Sequence, residues 1–132
     1  MSSPRLPHDH GNDINDILNL IPESKYFQDA SAVFQQLGDS SRLKIFWLLC
    51  HSEECDSNIA SAVGMSAAAV SHHLKSLRLH GLVISRRKGK EIYYKISDNE
   101  LSALAHKAVD DFFQLTCPVK GLSDHNQDDS PF

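Results

Sequence analysis

The stretch that decides the fold is MSAAAVSHHLKSLRLHG, residues 65–81. Apolar side chains recur in it at Val70, Leu74 and Leu77, which is the spacing of one face of an α-helix. A serine before this run is a preferred N-cap, and the glycine that closes it is a preferred helix stop. The stretch therefore predicts a helix from Ala67 to about His80.

The other face of this helix is predicted to be small, polar and basic. It comprises Ser66 at the N-cap, Ala68, Ser71, His72, Lys75 and Arg78. Small residues at its start would let the helix lie deep in a DNA major groove, where Ser71 and His72 can meet base edges. Lysine and arginine side chains suit phosphates, as do the free amides at a helix N-terminus. We expect this helix to read DNA.

The residues before this helix also have helical periodicity. The third predicted helix is apolar on nearly all sides and should form the centre of the domain. A short turn containing Gly64 joins the fourth helix to the reading helix, which is typical of a helix-turn-helix. The predicted helices run over Asp13–Ile21, over 23–37, from Asp39 or Ser40 to about residue 50, and from about Cys55 to Val63.

After residue 81 the spacing of the apolar residues no longer has the helical period and becomes typical of strands. Residues 82–85 and 92–96 are rich in β-branched and aromatic side chains, which predicts two strands. The basic residues between them, Arg86, Arg87, Lys88 and Lys90, surround a glycine. They cannot form core and would repel one another unless a polyanion lay beside them. With a last helix capped by Ser97 or Asp98, the expected fold is mainly α with a two-stranded β-hairpin, a winged helix-turn-helix.

The charge distribution supports a nucleic-acid partner. The chain of 132 residues carries a formal net charge of −4, yet residues 66–97 hold seven basic residues and one acid, a local +6. The remaining residues therefore sum to −10. A basic segment in an acidic protein indicates a nucleic-acid footprint better than the total does, the alternative being a solvated face.

Several classes of protein are excluded. No apolar run is long enough to span a membrane, and the first residues do not have the pattern of a signal peptide. Three cysteines without an export signal indicate a reducing compartment, so a cytoplasmic protein is expected. A phosphate loop and a nucleophile motif are absent, so we do not expect an enzyme.

Three separated motifs, in matching order and spacing, resemble the ArsR/SmtB metal-sensing repressors. They are LGDSSRLKI at 37–45, MSAAAVSHHLK at 65–75, and Gly81-Leu82-Val83 followed by Tyr93-Tyr94. The resemblance covers roughly residues 30–115. It implies a homodimer that binds an inverted-repeat operator, represses, and is released by an effector.

In this family the first and last helices form most of the dimer interface. The last predicted helix has an apolar stripe that fits this role, although packing on the domain's own core is the alternative. The stripe comprises Leu104, Val109, Phe112 and Phe113.

One effector site of the family begins the helix before the reading helix, where a motif of the ELCVC type binds soft metals or arsenite. Here residues 53–57 read EECDS, in which Cys55 matches the first cysteine and Ser57 replaces the second. Cys50 lies across the predicted helix break, so the two thiols could converge. Further candidate donors are His51, Cys117 and His106.

Three thiolates would suit As(III), Cd(II), Pb(II) or Zn(II). Cys50 could instead be a small buried hydrophobe. A rival hypothesis is a thiol-redox switch that joins Cys50 to Cys55, although the acidic neighbours of Cys55 argue against a reactive thiolate there. A second rival, a winged-helix interaction module that does not bind DNA, would not need the basic turn.

The second family site uses the pattern Asp-x-His, ten residues, His-x-x-Glu or His on the last helix. The same spacing falls here on Asp98, Glu100, Asp111 and Gln114, of which only Asp98 matches. Without imidazoles this site should prefer hard ions or stay vacant. His8 and His10 in the lead are additional candidate ligands.

The expected organisation has three parts. Residues 1–22 form a flexible lead with a short helix, residues 23–117 form the winged helix-turn-helix and dimerisation domain, and residues 118–132 form a disordered acidic tail. The sequence thus predicts a repressor of the ArsR type that a metal or metalloid ion, bound through cysteines, releases from DNA.

Overall fold

The computed structural model describes residues 6–11 and 14–116, and it is mainly helical with one small sheet. The described residues form two compact units that divide between Ala32 and Val33. The elements are α1 (Ile14–Leu18), α2 (Ser24–Leu37), α3 (Ser40–His51), β1 (Glu54–Cys55), α4 (Asp56–Val63), α5 (Ala67–Leu79), β2 (Val83–Lys88), β3 (Glu91–Ile96) and α6 (Glu100–Thr116).

In the first unit, α1 is shorter than the predicted helix that reached Ile21. After Leu18 the chain tightens, because the amides of Leu20 and Ile21 bond to carbonyls three residues back. Pro22 follows, and proline disfavours helical geometry in the residue before it. None of the side chains of α1 is buried.

The core of the second unit is built around α3, as its apolar sequence predicts. Ile45, Phe46 and Leu49 are fully buried. The predicted inner face of α5, Val70, Leu74 and Leu77, packs in the same cluster. These contacts hold the inner face of α5 against the core and leave its other face exposed to solvent.

Local caps set the ends of the two central helices. The Ser66 hydroxyl accepts a hydrogen bond from the amide of Ala69 at 3.1 Å, so Ser66 is the predicted N-cap of α5. Asp39 caps α3 in the same way through the amide of Arg42 at 2.9 Å. Each cap satisfies an amide that the helix itself leaves without a partner.

The sheet has one strand more than predicted. β1 pairs antiparallel with β3, so that the order is β1-β3-β2 and Cys55 lies opposite Tyr93. The helix predicted from about Cys55 begins at Asp56, because Cys55 pairs with β3 and is an extended N-cap. Two residues carry too little periodicity to reveal a strand.

The basic segment is mostly strand rather than turn. Arg86, Arg87 and Lys88 pair within the ladder, and only Gly89 and Lys90 form the connection. Gly89 has a φ of 66° at the first turn position, which a two-residue hairpin turn of type II′ reserves for glycine. The basic side chains therefore alternate between the two faces of the hairpin.

The N-cap of α6 is Asn99, not the predicted Ser97 or Asp98. The side-chain oxygen of Asn99 accepts a hydrogen bond from the Ser102 amide at 2.8 Å. The side-chain NH₂ group of Asn99 donates to the Gly81 carbonyl at 3.0 Å. The buried Ser102 hydroxyl lies 3.1 Å from the Leu82 carbonyl, to which it donates. Three consecutive residues are good N-caps by type, and the contact with Gly81 selects among them.

Candidate nucleic-acid interface and effector site

The predicted reading face of α5 is a single exposed surface. Ser66, Ala68, Ser71, His72, Lys75 and Arg78 are all exposed, whereas Val70, Leu74 and Leu77 on the opposite side are buried. The Arg78 guanidinium donates to the Ser85 hydroxyl at 3.2 Å and so lies against the hairpin. The surface offers two hydroxyls, an imidazole and two cations at helical spacing.

Two linked, partly buried polar contacts position α5. The Ser76 hydroxyl donates to the side-chain oxygen of Gln36 at 2.7 Å. Arg42 in turn donates to the Gln36 backbone carbonyl at 2.7 Å. Sequence reasoning missed Gln36, because a glutamine at the end of a helix carries no signal of burial. The motif at 37–45 therefore helps to orient the reading helix.

The basic hairpin is exposed at all four predicted positions. Arg86 is braced, since its Nε lies 2.7 Å from the Glu53 carboxylate in the segment before β1. The Lys88 ammonium lies over the Tyr93 ring at 5.4 Å from its centroid. Arg87, in the ladder, and Lys90, at the connection, have neither of these two contacts and are exposed.

The two described cysteines are buried and unpaired with each other. Burial raises the pKa of the Cys50 thiol, and the nearby Asp110 charge adds to the effect. Within residues 6–11 and 14–116, two groups of three or more metal-ligating side chains have their donor atoms within 4.8 Å of one another. Cys55, Asp56 and Glu91 form one group, and neither group contains both thiols. Cys117 lies outside the described residues.

The other group consists of His51, His106 and Asp110. Nε2 of His51 lies 3.4 Å from one carboxylate oxygen of Asp110, and Nε2 of His106 lies 2.8 Å from the other. Sequence reasoning named both histidines separately and missed Asp110. An aspartate on an amphipathic helix normally faces water, and only the packing of α3 against α6 brings these groups together.

The positions that correspond to the second family site line one cavity of about 1010 Å³. Asp98, Glu100, Asp111 and Gln114 border it. Two of these carboxylates are already paired with lysines, Asp98 with Lys95 at 3.3 Å and Asp111 with Lys107 at 2.6 Å. In the first unit, the rings of His8 and His10 stack at 5.7 Å.

Across the described residues, no helix combines the length and apolar character needed to cross a membrane.

The family model described as bacterial regulatory protein, arsR family, matches residues 39–85. A transcriptional repressor SmtB homolog from Synechocystis is 37% identical over 63% of this chain and 63% of its own length. A cadmium resistance transcriptional regulatory protein CadC homolog from Staphylococcus aureus is 36% identical over 61% of this chain and 67% of its own length. The chain thus spans slightly less than two thirds of the SmtB homolog.

A solved structure extends the similarity to the fold. It is the homodimeric winged helix-turn-helix DNA-binding domain of a possible ArsR-family transcriptional regulator from Mycobacterium bovis, with a TM-score of 0.60 and 26% identity. The match covers 83% of this chain and 93% of that chain. These relatives are regulators rather than enzymes, which agrees with the sequence expectation. The chain belongs to the ArsR family of bacterial regulatory proteins and has its winged helix-turn-helix fold.

Proposed function

We propose that this chain is a cytoplasmic, sequence-specific transcriptional repressor that binds operator DNA as a homodimer and leaves it when a metal or metalloid ion binds. The exposed face of α5 carries the proposal. Its opposite face is locked into the core, while hydroxyl, imidazole and cationic side chains point outward at one-turn intervals.

In this proposal α5 enters the major groove. Ser71 and His72 meet base edges, while Lys75 and Arg78 contact phosphates. The hairpin lies beside the backbone or in the adjacent minor groove, where its basic side chains release counterions. Gln36 and Ser76 hold the helix at a fixed angle, and a fixed angle is what base readout requires.

The dimer follows from the outer face of α6. The predicted stripe divides in two, because Val109 packs on the core and Phe113 is half-buried, whereas Leu104 and Phe112 are exposed. The exposed part continues to Leu101 and Leu115, which is 86% exposed. A helix with an apolar face on each side is suited to a second copy of the chain, and a symmetric dimer suits an inverted-repeat operator.

For the effector, the name of the Staphylococcus aureus relative refers to cadmium, and we extend the class of soft metal ions to this chain. The group formed by Cys55, Asp56 and Glu91 combines a thiol with two carboxylates, a donor set that fits Cd(II) or Zn(II) better than As(III) or Pb(II), which favour several thiolates. Cys50 and Cys117 remain candidate additional thiols. The raised pKa of Cys50 opposes the redox alternative, which needs a reactive thiolate.

DNA binding through the hairpin can be tested with the double variant Arg87→Gln/Lys90→Gln. The duplex is one selected from a random pool by the parent chain, and affinity is measured by fluorescence anisotropy at several salt concentrations. The plot of log K against log salt has a negative slope. Losing two phosphate contacts should make this slope less negative by about 1.8. Lys107→Gln, on α6 and paired with Asp111, is the control and should leave the slope unchanged.

An unchanged slope in the double variant would show that the hairpin does not touch DNA. If the parent chain also selected no duplex, the interaction-module alternative would replace the repressor.

A further inference from the structure

Three side chains from two distant parts of the chain converge at the end of α3. His51 is the last residue of α3, and His106 and Asp110 lie one turn apart on α6. The two imidazole Nε2 atoms approach different oxygens of the same carboxylate, at 3.4 Å and 2.8 Å. The imidazole rings meet edge to face, with centroids 5.1 Å apart.

The carboxylate at the centre of this group is nearly buried, with the Asp110 side chain 9% exposed. Burying a carboxylate is costly unless a positive charge lies beside it. Within the described part of the chain its ion-pair partners are the two imidazoles, and neither a lysine nor an arginine pairs with it. A bound metal ion beside Asp110 would supply a positive charge at this buried position.

One nitrogen in the group is left without a hydrogen bond. His106 Nε2 is buried and, despite the 2.8 Å approach to Asp110, makes no aligned hydrogen bond within the described residues. A buried polar atom without a partner calls for an explanation such as a missing ion.

The spacing fits a metal ion. Zinc binds imidazole nitrogen and carboxylate oxygen at about 2.0–2.2 Å in a tetrahedron, so two neighbouring ligand atoms lie about 3.4 Å apart. All three donor atoms lie within 4.8 Å of one another. Small rotations of the side chains would bring them to the required separation, and a fourth position would stay open.

We propose that His51, His106 and Asp110 form a binding site for a divalent metal ion of the zinc class, held by two imidazole nitrogens and one carboxylate oxygen. Nitrogen and oxygen donors favour Zn(II), Co(II) or Ni(II) over As(III) and Pb(II). The site differs from the thiol site proposed above. His106 and Asp110 border the same cavity as Asp98 and Asp111, but the proposed ligands are a different set from the positions of the second family site.

The location also gives the ion a regulatory role, an extension that rests on the proposed function. An ion bound here would connect the end of α3 to α6. The end of α3 leads into β1 and α4, and the outer face of α6 is the proposed dimer interface. Asn99 and Ser102 already bond α6 to the corner between α5 and β2. Occupancy would therefore couple the dimer to the angle of the reading helix.

Metal binding is tested with the full chain, stripped of metal and titrated with Co(II) and then Zn(II). Tetrahedral Co(II) gives visible ligand-field bands, and Zn(II) should bleach them. His51→Gln, His106→Gln and Asp110→Asn should each weaken binding at least about tenfold, a loss that even outer-sphere partners of a metal can cause. Circular dichroism checks that each variant is folded, and a Zn(II)-dependent rise in Tm that is larger in the parent than in these three variants gives a second readout.

Asp111→Asn is the matched control, one residue along the same helix and exposed. A triple variant with Cys50, Cys55 and Cys117 changed to serine removes every thiol. Both should retain the Co(II) bands, and thiolate charge-transfer absorption should be absent in the parent at one equivalent.

Loss of binding in Asp111→Asn with retention in His51→Gln would assign the ion to the carboxylates at Asp98, Glu100 and Asp111 and overturn the site. Loss in the triple serine variant alone would assign it to the thiols, with the same consequence. DNA binding by the metal-free parent is measured separately. Either of these results would therefore overturn the metal site without overturning the proposed DNA binding.

Discussion

At the scale of a single residue, Cys50 shows how its surroundings decide the chemistry of a side chain. Its sequence context allows a metal ligand, a redox thiol or a core residue. The fold places it 1% exposed beside Leu49 and near the Asp110 carboxylate, and both burial and that charge disfavour the thiolate. As long as no ion is bound, protonated Cys50 therefore packs as a small apolar residue of the core.

This raised pKa predicts a pH dependence of stability. In the unfolded chain the thiol loses its proton above about pH 9, whereas the folded chain keeps it. The folded state then binds more protons, so the contribution is complete below pH 9 and the free energy of unfolding falls as pH rises above it. The slope from this group approaches about 1.4 kcal/mol per pH unit.

Urea unfolding of the parent and of Cys50→Ala between pH 8 and pH 10.5 measures the effect. Lysines and tyrosines titrate in both proteins, so the difference between the two curves isolates Cys50. Parallel curves would mean that the thiol ionises as readily in the fold as outside it.

At the scale of the element, the start of α5 contributes to stability and, in the proposed complex, also to recognition. The Ser66 hydroxyl accepts from the Ala69 amide, and helix geometry leaves the other amides of the first turn without a partner inside the helix. In the proposed complex these amides lie near a DNA phosphate.

Two substitutions at this position separate the roles. Ser66→Ala removes the cap and should lower the free energy of unfolding by about 1 kcal/mol. Ser66→Asp keeps an acceptor for the Ala69 amide and favours the helix dipole, so stability should stay near that of the parent. Its carboxylate would repel phosphate, and affinity for the selected duplex should fall.

Thermal unfolding and anisotropy titrations on the same preparations give both quantities. Parent-like affinity in Ser66→Asp would indicate that this end of α5 does not face the DNA backbone.

At the scale of the whole molecule, α6 carries apolar residues on two sides. Ala105 and Val109 pack on the core, while Leu104 and Leu115 face outward, three turns apart. An exposed apolar stripe on an otherwise amphipathic helix marks an interaction surface.

The double variant Leu104→Glu/Leu115→Glu should convert a dimer to a monomer, because opposed carboxylates would be buried across the symmetric interface. Sedimentation equilibrium measures the mass, and affinity for an inverted-repeat duplex should fall with it. Leu79→Glu, equally exposed but on α5, is the control for dimerisation and should not change the mass. An unchanged dimer in the double variant would place the interface elsewhere.

The sequence alone determined what is local. The buried face of α5, the Ser66 cap, the apolar α3 and the basic hairpin follow from periods of 3.6 and 2 residues and from capping chemistry, which depend on near neighbours. The three motifs also placed the chain in its family before any coordinate was known.

Only the tertiary structure decided what depends on distant partners. β1 has only two residues, too few to show the alternating pattern of a strand. It is a strand because it pairs with β3 through backbone hydrogen bonds. Asn99 caps α6 because the Gly81 carbonyl lies within its reach. His51, His106 and Asp110 meet because α3 packs against α6, and residues so far apart in the chain carry no spacing from which their contact could be read.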